Sequence, residues 1–161
     1  MQILDSLPDS SRVWIFTSKN TLSEQEAEKI KNSFDSFLSE WNAHKQSVSG
    51  AYEILYNKFI IFGANQEATP VSGCSIDSLC NMVKNTLEEL GLPLIGHESV
   101  LYKHGDKILQ CSRPDFKALV DSKELSSETL VFNNTITTLA EMRASKWECR
   151  MEDSWHAKAF L

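Results

Sequence analysis

The sequence predicts an α+β fold, and three observations support that class. Two long segments carry apolar residues at steps of three and four, which is the spacing of one helix face. Several short runs are rich in aromatic and branched residues and are separated by turn formers, as strands and hairpins are. With 161 residues, 42% of them hydrophobic, the chain can bury a real core, and we expect one domain over residues 1–161.

The first predicted strand and helix lie within residues 12–41. Arg12–Thr17 is a short apolar run and predicts a strand. Ser23-x-x-Glu26 is a capping-box pattern and predicts the start of a helix. The apolar face of that helix comprises Ala27, Ile30, Phe34, Phe37, Leu38 and Trp41. The opposite face is charged, which is typical of a solvated surface.

A hairpin and a second long helix follow. Residues 51–55 and 58–63 predict two strands joined around Tyr56-Asn57. The helix predicted over residues 76–90 ends at Gly91. Its apolar face comprises Ile76, Leu79, Cys80, Val83, Leu87 and Leu90.

A second hairpin and a third helix are predicted next. Residues 99–103 and 107–111 predict two strands about His104-Gly105-Asp106. Ser112 is placed to cap a following helix, with Pro114 in its first turn. Residues 129–132 then predict a strand, and a short helix is expected from Thr135 onwards. Two aromatic residues and a histidine near the end of the chain predict that residues 155–160 dock on the folded body.

The order of these elements up to Lys103 is strand, helix, strand, strand, helix, strand. That order is the split arrangement of ferredoxin-like domains. We therefore expect a βαββαβ core, with an antiparallel or mixed sheet and both long helices on one face. The second hairpin and the short C-terminal helices would extend it.

Composition excludes several classes of function. The net charge of −6, a pI near 5.2 and the absence of a basic run argue against nucleic acid as a partner. No apolar run is long enough to span a membrane, and the first residues lack a secretion signal, so we expect a cytoplasmic protein without a membrane partner. The four cysteines form no C-x-x-C pair, and reduced thiols are the expectation.

The main candidate site is the turn before the second long helix, Ser72-Gly73-Cys74-Ser75, and Asp77 is expected to stabilise the first turn of that helix. Small residues and hydroxyls at a helix N-terminus favour an anion, so Ser72, Gly73, Ser75 and Asp77 are candidate ligand-binding residues. The same position stabilises a thiolate, which makes Cys74 a candidate nucleophile. Alternatively, Cys74 is a small residue chosen for packing in a tight turn.

Two histidines and an asparagine are candidate partners for Cys74. His44 follows the first long helix, where a cation favours the helix C-terminus, and His156 lies in the aromatic tail. Asn133 follows a predicted strand and is a further candidate ligand-binding residue that could also orient a histidine, although asparagines are also ordinary turn formers. Structural roles remain the alternative for all three residues.

Motifs for metal and nucleotide binding are missing from the sequence. No histidine spacing matches a metal site, so we expect no metal and no cofactor. Residues 91–96 match the first half of a P-loop, but His97-Glu98 follows where Lys and Ser or Thr are needed. The chain is therefore not expected to be a P-loop ATPase.

Four short segments resemble an uncharacterised family of short bacterial proteins, some of which carry the label "ABC transporter ATPase". The segments are Trp41-x-Ala43-His44, Ser72-Gly73-Cys74-Ser75-Ile76-Asp77, Val131-Phe132-Asn133-Asn134 and Ser154-Trp155-His156. The resemblance implies no activity or substrate, and the ATPase label conflicts with the missing P-loop. What it does imply is that these four segments meet around one site.

Three hypotheses for function follow. The first is a binding or interaction module whose helix N-terminus receives a small anionic ligand or a carboxylate of a protein partner. The second is an enzyme with Cys74 as nucleophile and His44 or His156 as base. The third is structural, in which the motifs only lock turns and tail together, within a homodimer for example.

Overall fold

The computed structural model describes residues 3–161 and has the α+β class that the sequence predicts. The described residues divide into two compact units. Unit 1 comprises the residues up to Ile95 together with Thr137–Ala140, and unit 2 comprises Gly96–Ile136 and Glu141–Leu161. The expectation of one domain stays a prediction, because the compactness of each unit does not say whether the two unfold together.

The helices and strands are, in chain order, β1 (Arg12–Thr17), α1 (Glu24–Glu40), β2 (Asn42–Ala43), β3 (Gln46–Ser47), β4 (Ser49–Leu55), β5 (Phe59–Asn65), α2 (Gly73–Glu89), β6 (Ser99–His104), β7 (Lys107–Ser112), α3 (Arg113–Asp121), β8 (Leu130–Phe132), α4 (Leu139–Arg143), β9 (Glu148–Arg150) and α5 (Trp155–Phe160). Two short 3-10 helices cover Leu4–Ser6 and Met151–Asp153. No helix in residues 3–161 is long and apolar enough to cross a membrane.

The sheet of unit 1 has three antiparallel strands in the order β1-β5-β4. The predicted hairpin of β4 and β5 is confirmed, and its turn residues Tyr56 and Asn57 have positive φ angles of 55° and 49°. Alternate residues of each strand point to the same face, so Trp14, Phe62 and Tyr52 form one row across the sheet. That row packs in the same core as buried residues of α1 and α2.

Both long helices of unit 1 contribute to that core. The predicted capping box of α1 is confirmed, since Ser23 Oγ accepts from Glu26 N at 3.1 Å and Ser23 N donates to Glu26 Oε1 at 2.9 Å. The largest fully buried residues of this core are Ile30, Phe34, Ile60, Phe62, Leu79 and Leu87.

The prediction that the strand at residues 99–103 is the fourth strand of the first sheet is wrong. Residues 99–104 form β6, which belongs to the sheet of unit 2. The free edge of β1 is instead covered by two short segments. Ser18 forms an antiparallel bridge with Leu94 near one end, and Arg12 forms one with Thr138 at the other. A strand pattern fixes local backbone but not the sheet in which its edge finds partners.

Unit 2 is built around a four-stranded antiparallel sheet in the order β7-β6-β8-β9. The hairpin of β6 and β7 and the capped start of α3 are confirmed, with Ser112 Oγ accepting from Asp115 N at 3.2 Å. The helix expected from Thr135 begins only at Leu139. The docked tail is confirmed, because Phe160 is 5% exposed. It lies in a core with Val100, Tyr102, Phe116, Leu125, Val131, Cys149 and Met151.

Candidate functional site

The candidate turn lies inside α2, because the helix begins at Gly73 and not at Ile76 as predicted. The reason is a second capping box. Ser72 Oγ accepts from Ser75 N at 3.1 Å, and Ser72 N donates to Ser75 Oγ at 2.8 Å. The sequence pattern for this box is weak because serine replaces the usual glutamate or glutamine at the third position. Cys74 is therefore the second residue of the helix.

The capping box decides which backbone donors remain at the start of α2. A helix leaves its first four N–H groups without intrahelical partners. Here the box occupies Ser72 N and Ser75 N, and Ile76 N makes the first helical bond, to Ser72 O at 3.0 Å. Gly73 N and Cys74 N have no partner in the described part of the chain. Both residues are exposed, so these two donors face outward from a positively polarised helix end.

The other predicted residues of this turn differ in accessibility. Ser75 is 2% exposed and its hydroxyl also donates to Ser72 O at 2.8 Å, so its hydrogen-bonding capacity serves the cap. Asp77 is exposed but lies beyond the first turn, which contains no acidic residue. The expectation that Asp77 stabilises the start of the helix is therefore wrong, because the helix begins three residues earlier than predicted.

Trp41 attaches a second segment to the first turn of α2. Its indole Nε1 donates to Ser75 O at 2.9 Å in a buried hydrogen bond. Gly50 on β4 makes room for the ring, since a Cβ there would lie 2.8 Å from Trp41. Trp14 packs against the same indole edge to face, with ring centroids 6.0 Å apart. Trp41 is thus held on several sides, and it fixes the chain that follows it.

His44 lies in the turn of a short hairpin that begins directly after Trp41. The hairpin pairs β2 with β3 and is closed by Val48 N donating to Trp41 O at 3.0 Å. His44 and Lys45 have φ angles of 50° and 68°, the conformation of a two-residue turn. The expectation that His44 interacts with the end of α1 stays a prediction. Its side chain is exposed, and it makes no hydrogen bond within residues 3–161.

The four cysteines differ in exposure and in the direction of their pKa shifts. Cys74 is exposed. Burial, and then the charge of Asp77, raises the pKa of Cys80. Burial likewise raises the pKa of Cys111 and of Cys149, with nearby aspartates adding to it. The thiolate, the reactive form, is therefore disfavoured at all three of these residues.

Asn133 and its neighbour have structural partners in unit 2. Asn133 Oδ1 accepts from Thr135 N at 3.1 Å, which is an Asx turn after β8. Asn134 Oδ1 accepts from Trp147 Nε1 at 2.9 Å, and Asn133 N donates to Trp147 O at 2.7 Å. The Asn134 side chain and the Asn133 backbone N–H thereby hold the exit of β8 against the chain leading to β9.

His156 is 1% exposed and lies in unit 2. Its Nδ1 is 2.7 Å from Ser154 Oγ, and its ring stacks on Trp155 with centroids 3.9 Å apart. Burial, with a smaller effect of the Arg113 guanidinium, lowers the pKa of His156 to about 4. The imidazole is therefore neutral at pH 7 and is enclosed by its own unit.

The four segments of the resemblance thus fall into two pairs. The Trp41 and Ser72 segments meet in unit 1 through the Trp41–Ser75 hydrogen bond. The Val131 and Ser154 segments share the core of unit 2, where Val131 and Trp155 belong to one apolar cluster. Among the described residues, no group of three or more His, Cys, Asp or Glu side chains is arranged to hold a metal ion.

Comparison with models of known protein families, with curated proteins and with solved structures finds no match for this chain.

Proposed function

We propose that unit 1 is a binding module whose α2 N-terminus receives a small anion or a carboxylate of a protein partner. The observation that carries the proposal is the distribution of backbone donors. The capping box satisfies Ser72 N and Ser75 N. It leaves the N–H groups of Gly73 and Cys74 without a hydrogen-bond partner among the described residues. Two adjacent N–H groups at a helix N-terminus favour an oxyanion, through both hydrogen bonding and the helix dipole.

The charge distribution of the helix supports the same function. The first turn of α1 contains Glu24 and Glu26, and that of α3 contains Asp115. These carboxylates partly balance the positive end of their own helices. The first turn of α2 has no acidic residue, so its positive end is balanced by no carboxylate of its own. An external anion would supply that charge.

Replacing Gly73 by proline tests the proposal, because it removes one donor and keeps the helix. Proline is favoured at the first helical position, and Ser72 already has the extended conformation (φ −104°, ψ 165°) that a residue before proline prefers. We expect phosphate, sulfate or acetate to raise the melting temperature of the natural protein more than sodium chloride at equal ionic strength. In Gly73→Pro this specific increase should be lost.

Gly73→Ala is the matched control, since a Cβ at this position meets no atom within 4 Å and the N–H remains. It should keep the anion-specific increase. An equal response of the proline and alanine variants would contradict the proposal. So would a natural protein that responds to these anions no more than to chloride.

A cysteine-dependent enzyme is the second candidate, and the exposure of Cys74 favours it. Cys74 lies at the N-terminus of a helix, where a thiolate is stabilised, whereas burial disfavours the thiolate of the other three cysteines. The hairpin that carries His44 is attached to the same helix turn through Trp41. His44 is therefore the preferred base of this candidate, and the buried His156 is the weaker one.

Alkylation by iodoacetamide at pH 7 separates an activated cysteine from one that is merely exposed. The enzyme hypothesis predicts that Cys74 reacts roughly tenfold faster than N-acetylcysteine, because the thiolate is the form that reacts. His44→Ala should slow the reaction, and His97→Ala, which removes another exposed histidine, should not. A Cys74 rate at or below that of N-acetylcysteine would contradict the enzyme hypothesis, and the binding function would be the remaining proposal.

Three finer assignments belong to this proposal. The strand order β1-β5-β4 with two long helices supports a ferredoxin-like core in unit 1, with residues 93–95 in place of the fourth strand. We also propose that the chain acts in the cytoplasm, as its sequence suggests, and that it is bacterial, as the family resemblance suggests. The convergence of the Trp41 and Ser72 segments supports the resemblance to the uncharacterised bacterial family.

A further inference from the structure

Residues 154–160 are the last segment of unit 2, and the buried, neutral imidazole of His156 holds them in place. We call this segment the C-terminal strap. Ser154 Oγ lies 2.7 Å from His156 Nδ1 and accepts from His156 N at 3.2 Å, so one hydroxyl both caps α5 and contacts the ring. Ser154 Oγ also lies 3.3 Å from Met151 O, so this carbonyl can accept the proton of the Ser154 hydroxyl.

The strap docks on α3 through stacked rings. The Arg113 guanidinium lies 5.2 Å from the centroid of Trp155, and Trp155 in turn stacks on His156 at 3.9 Å with an interplanar angle of 25°. Phe160 packs edge to face on Phe116 at 4.8 Å. A hydrogen bond from Lys117 Nζ to Phe160 O at 3.1 Å secures the end of the helix.

Among the described residues around the strap, no carboxylate forms an ion pair with His156. On α3 the Arg113 guanidinium is the charge that acts on His156, Asp115 is exposed, and Lys117 pairs with Asp121. On the preceding 3-10 helix, Glu152 and Asp153 pair with Arg150. The sheet contributes titratable groups that are not charged at neutral pH, namely Tyr102, Cys111 and Cys149. A proton on His156 would therefore add a buried cation beside an arginine.

We propose that the C-terminal strap is a pH-sensitive element, which protonation of His156 releases from the rest of unit 2. Both ring nitrogens of the imidazolium are donors, so the Ser154 hydroxyl can then only accept from Nδ1, and its own proton has Met151 O, 3.3 Å away, as acceptor. The imidazolium also repels the Arg113 guanidinium across Trp155. Both changes disfavour the docked strap, whereas in the released strap the imidazolium is hydrated.

The direction of the pH dependence follows from the pKa of His156, which burial lowers from 6.5 to about 4 in the docked strap. The released strap binds the proton more readily than the docked one does. Docking is therefore fully favourable above about pH 6.5 and weakens as the pH falls towards 4.

The test is an NMR titration of the full chain from pH 7.5 to 4, following backbone amides of residues 155–160 and of α2. We expect the strap amides to lose their docked shifts at a pH where the α2 amides keep theirs. In His156→Gln the side chain stays neutral, and the strap should remain docked at least one pH unit lower. Strap amides that respond identically in both proteins would overturn the proposal.

Arg113→Gln provides an independent test if His156→Gln does not fold. Removing the guanidinium raises the pKa of His156, because Arg113 contributes to lowering it. Protonation of His156 should then oppose docking less, so the equilibrium constant between docked and released strap, from the same NMR titration, should change less between pH 7.5 and 4 than in the natural protein. An equal or larger change in Arg113→Gln would contradict the role of His156 protonation.

Discussion

Replacing Trp41 by alanine is expected to lower the free energy of unfolding by about 4 kcal/mol, the usual cost of deleting a large buried aromatic side chain. Trp41 is 3% exposed, and its ring fills the space above Gly50. The substitution also removes the buried hydrogen bond to Ser75 O. Urea denaturation followed by circular dichroism would measure the loss.

Trp41→Phe separates the hydrogen bond from the packing. Phenylalanine keeps much of the ring but leaves the buried Ser75 carbonyl without its donor, and we expect a cost of about 1–3 kcal/mol. Gly50→Ala should also destabilise, because its Cβ would lie 2.8 Å from the indole. If Trp41→Phe were as stable as the natural protein, the attachment of the His44 hairpin to α2 would need another explanation.

Replacing either of two buried serines of unit 1 by alanine is expected to change the free energy of unfolding, in opposite directions at the two positions. Ser75 is 2% exposed, and its hydroxyl accepts from Ser72 N and donates to Ser72 O. Ser75→Ala should cost about 1–2 kcal/mol, because the start of α2 loses half of its capping box. The same denaturation experiment measures it.

Ser11 is the matched case without a partner. It is 0% exposed, and its Oγ has no hydrogen-bond partner among residues 3–161. Burying an unpaired hydroxyl is unfavourable. Ser11→Ala should therefore be neutral or stabilise by up to about 1 kcal/mol. A loss as large as that of Ser75→Ala would show that the Ser11 hydroxyl makes a favourable interaction.

The elements that the sequence predicts best are those whose cause is local. Ser23 and Glu26 are three residues apart, and both halves of their capping box form within one turn. Ser112 caps α3 in the same local manner. The two hairpins close through neighbouring turn residues, so their strand pairs also follow from short stretches. Such interactions depend little on the rest of the fold.

The sequence predicts neither the first residue of α2 nor the His44 hairpin, and the reasons differ. At α2 a serine takes the place of the usual acidic residue or glutamine of a capping box, so the sequence indicates hydroxyls able to cap in this turn but not that the helix begins at Gly73. In the hairpin, His44 and Lys45 adopt positive φ angles without the glycine or asparagine that normally signals such a turn. No residue type at these positions reveals the backbone conformation.

Long-range pairing accounts for the remaining differences. The fourth strand was assigned to the first sheet, but β6 finds its partners in β7 and β8. The Trp41–Ser75 hydrogen bond joins residues 34 positions apart, and the sequence indicates Trp41 only as an apolar residue of a helix. The role of Gly50 likewise becomes visible only with the indole placed over it.

The most direct test of the proposed function is an NMR titration of the full chain with inorganic phosphate, with sodium chloride as the ionic-strength control. The proposal predicts that the amides of Gly73 and Cys74 shift most and saturate with phosphate. The amides of Ser72 and Ser75, which the capping box already occupies, should shift less. Chloride should produce none of these changes. Gly73 and Cys74 amides that do not respond, or that respond equally to chloride, would contradict an anion site at the start of α2.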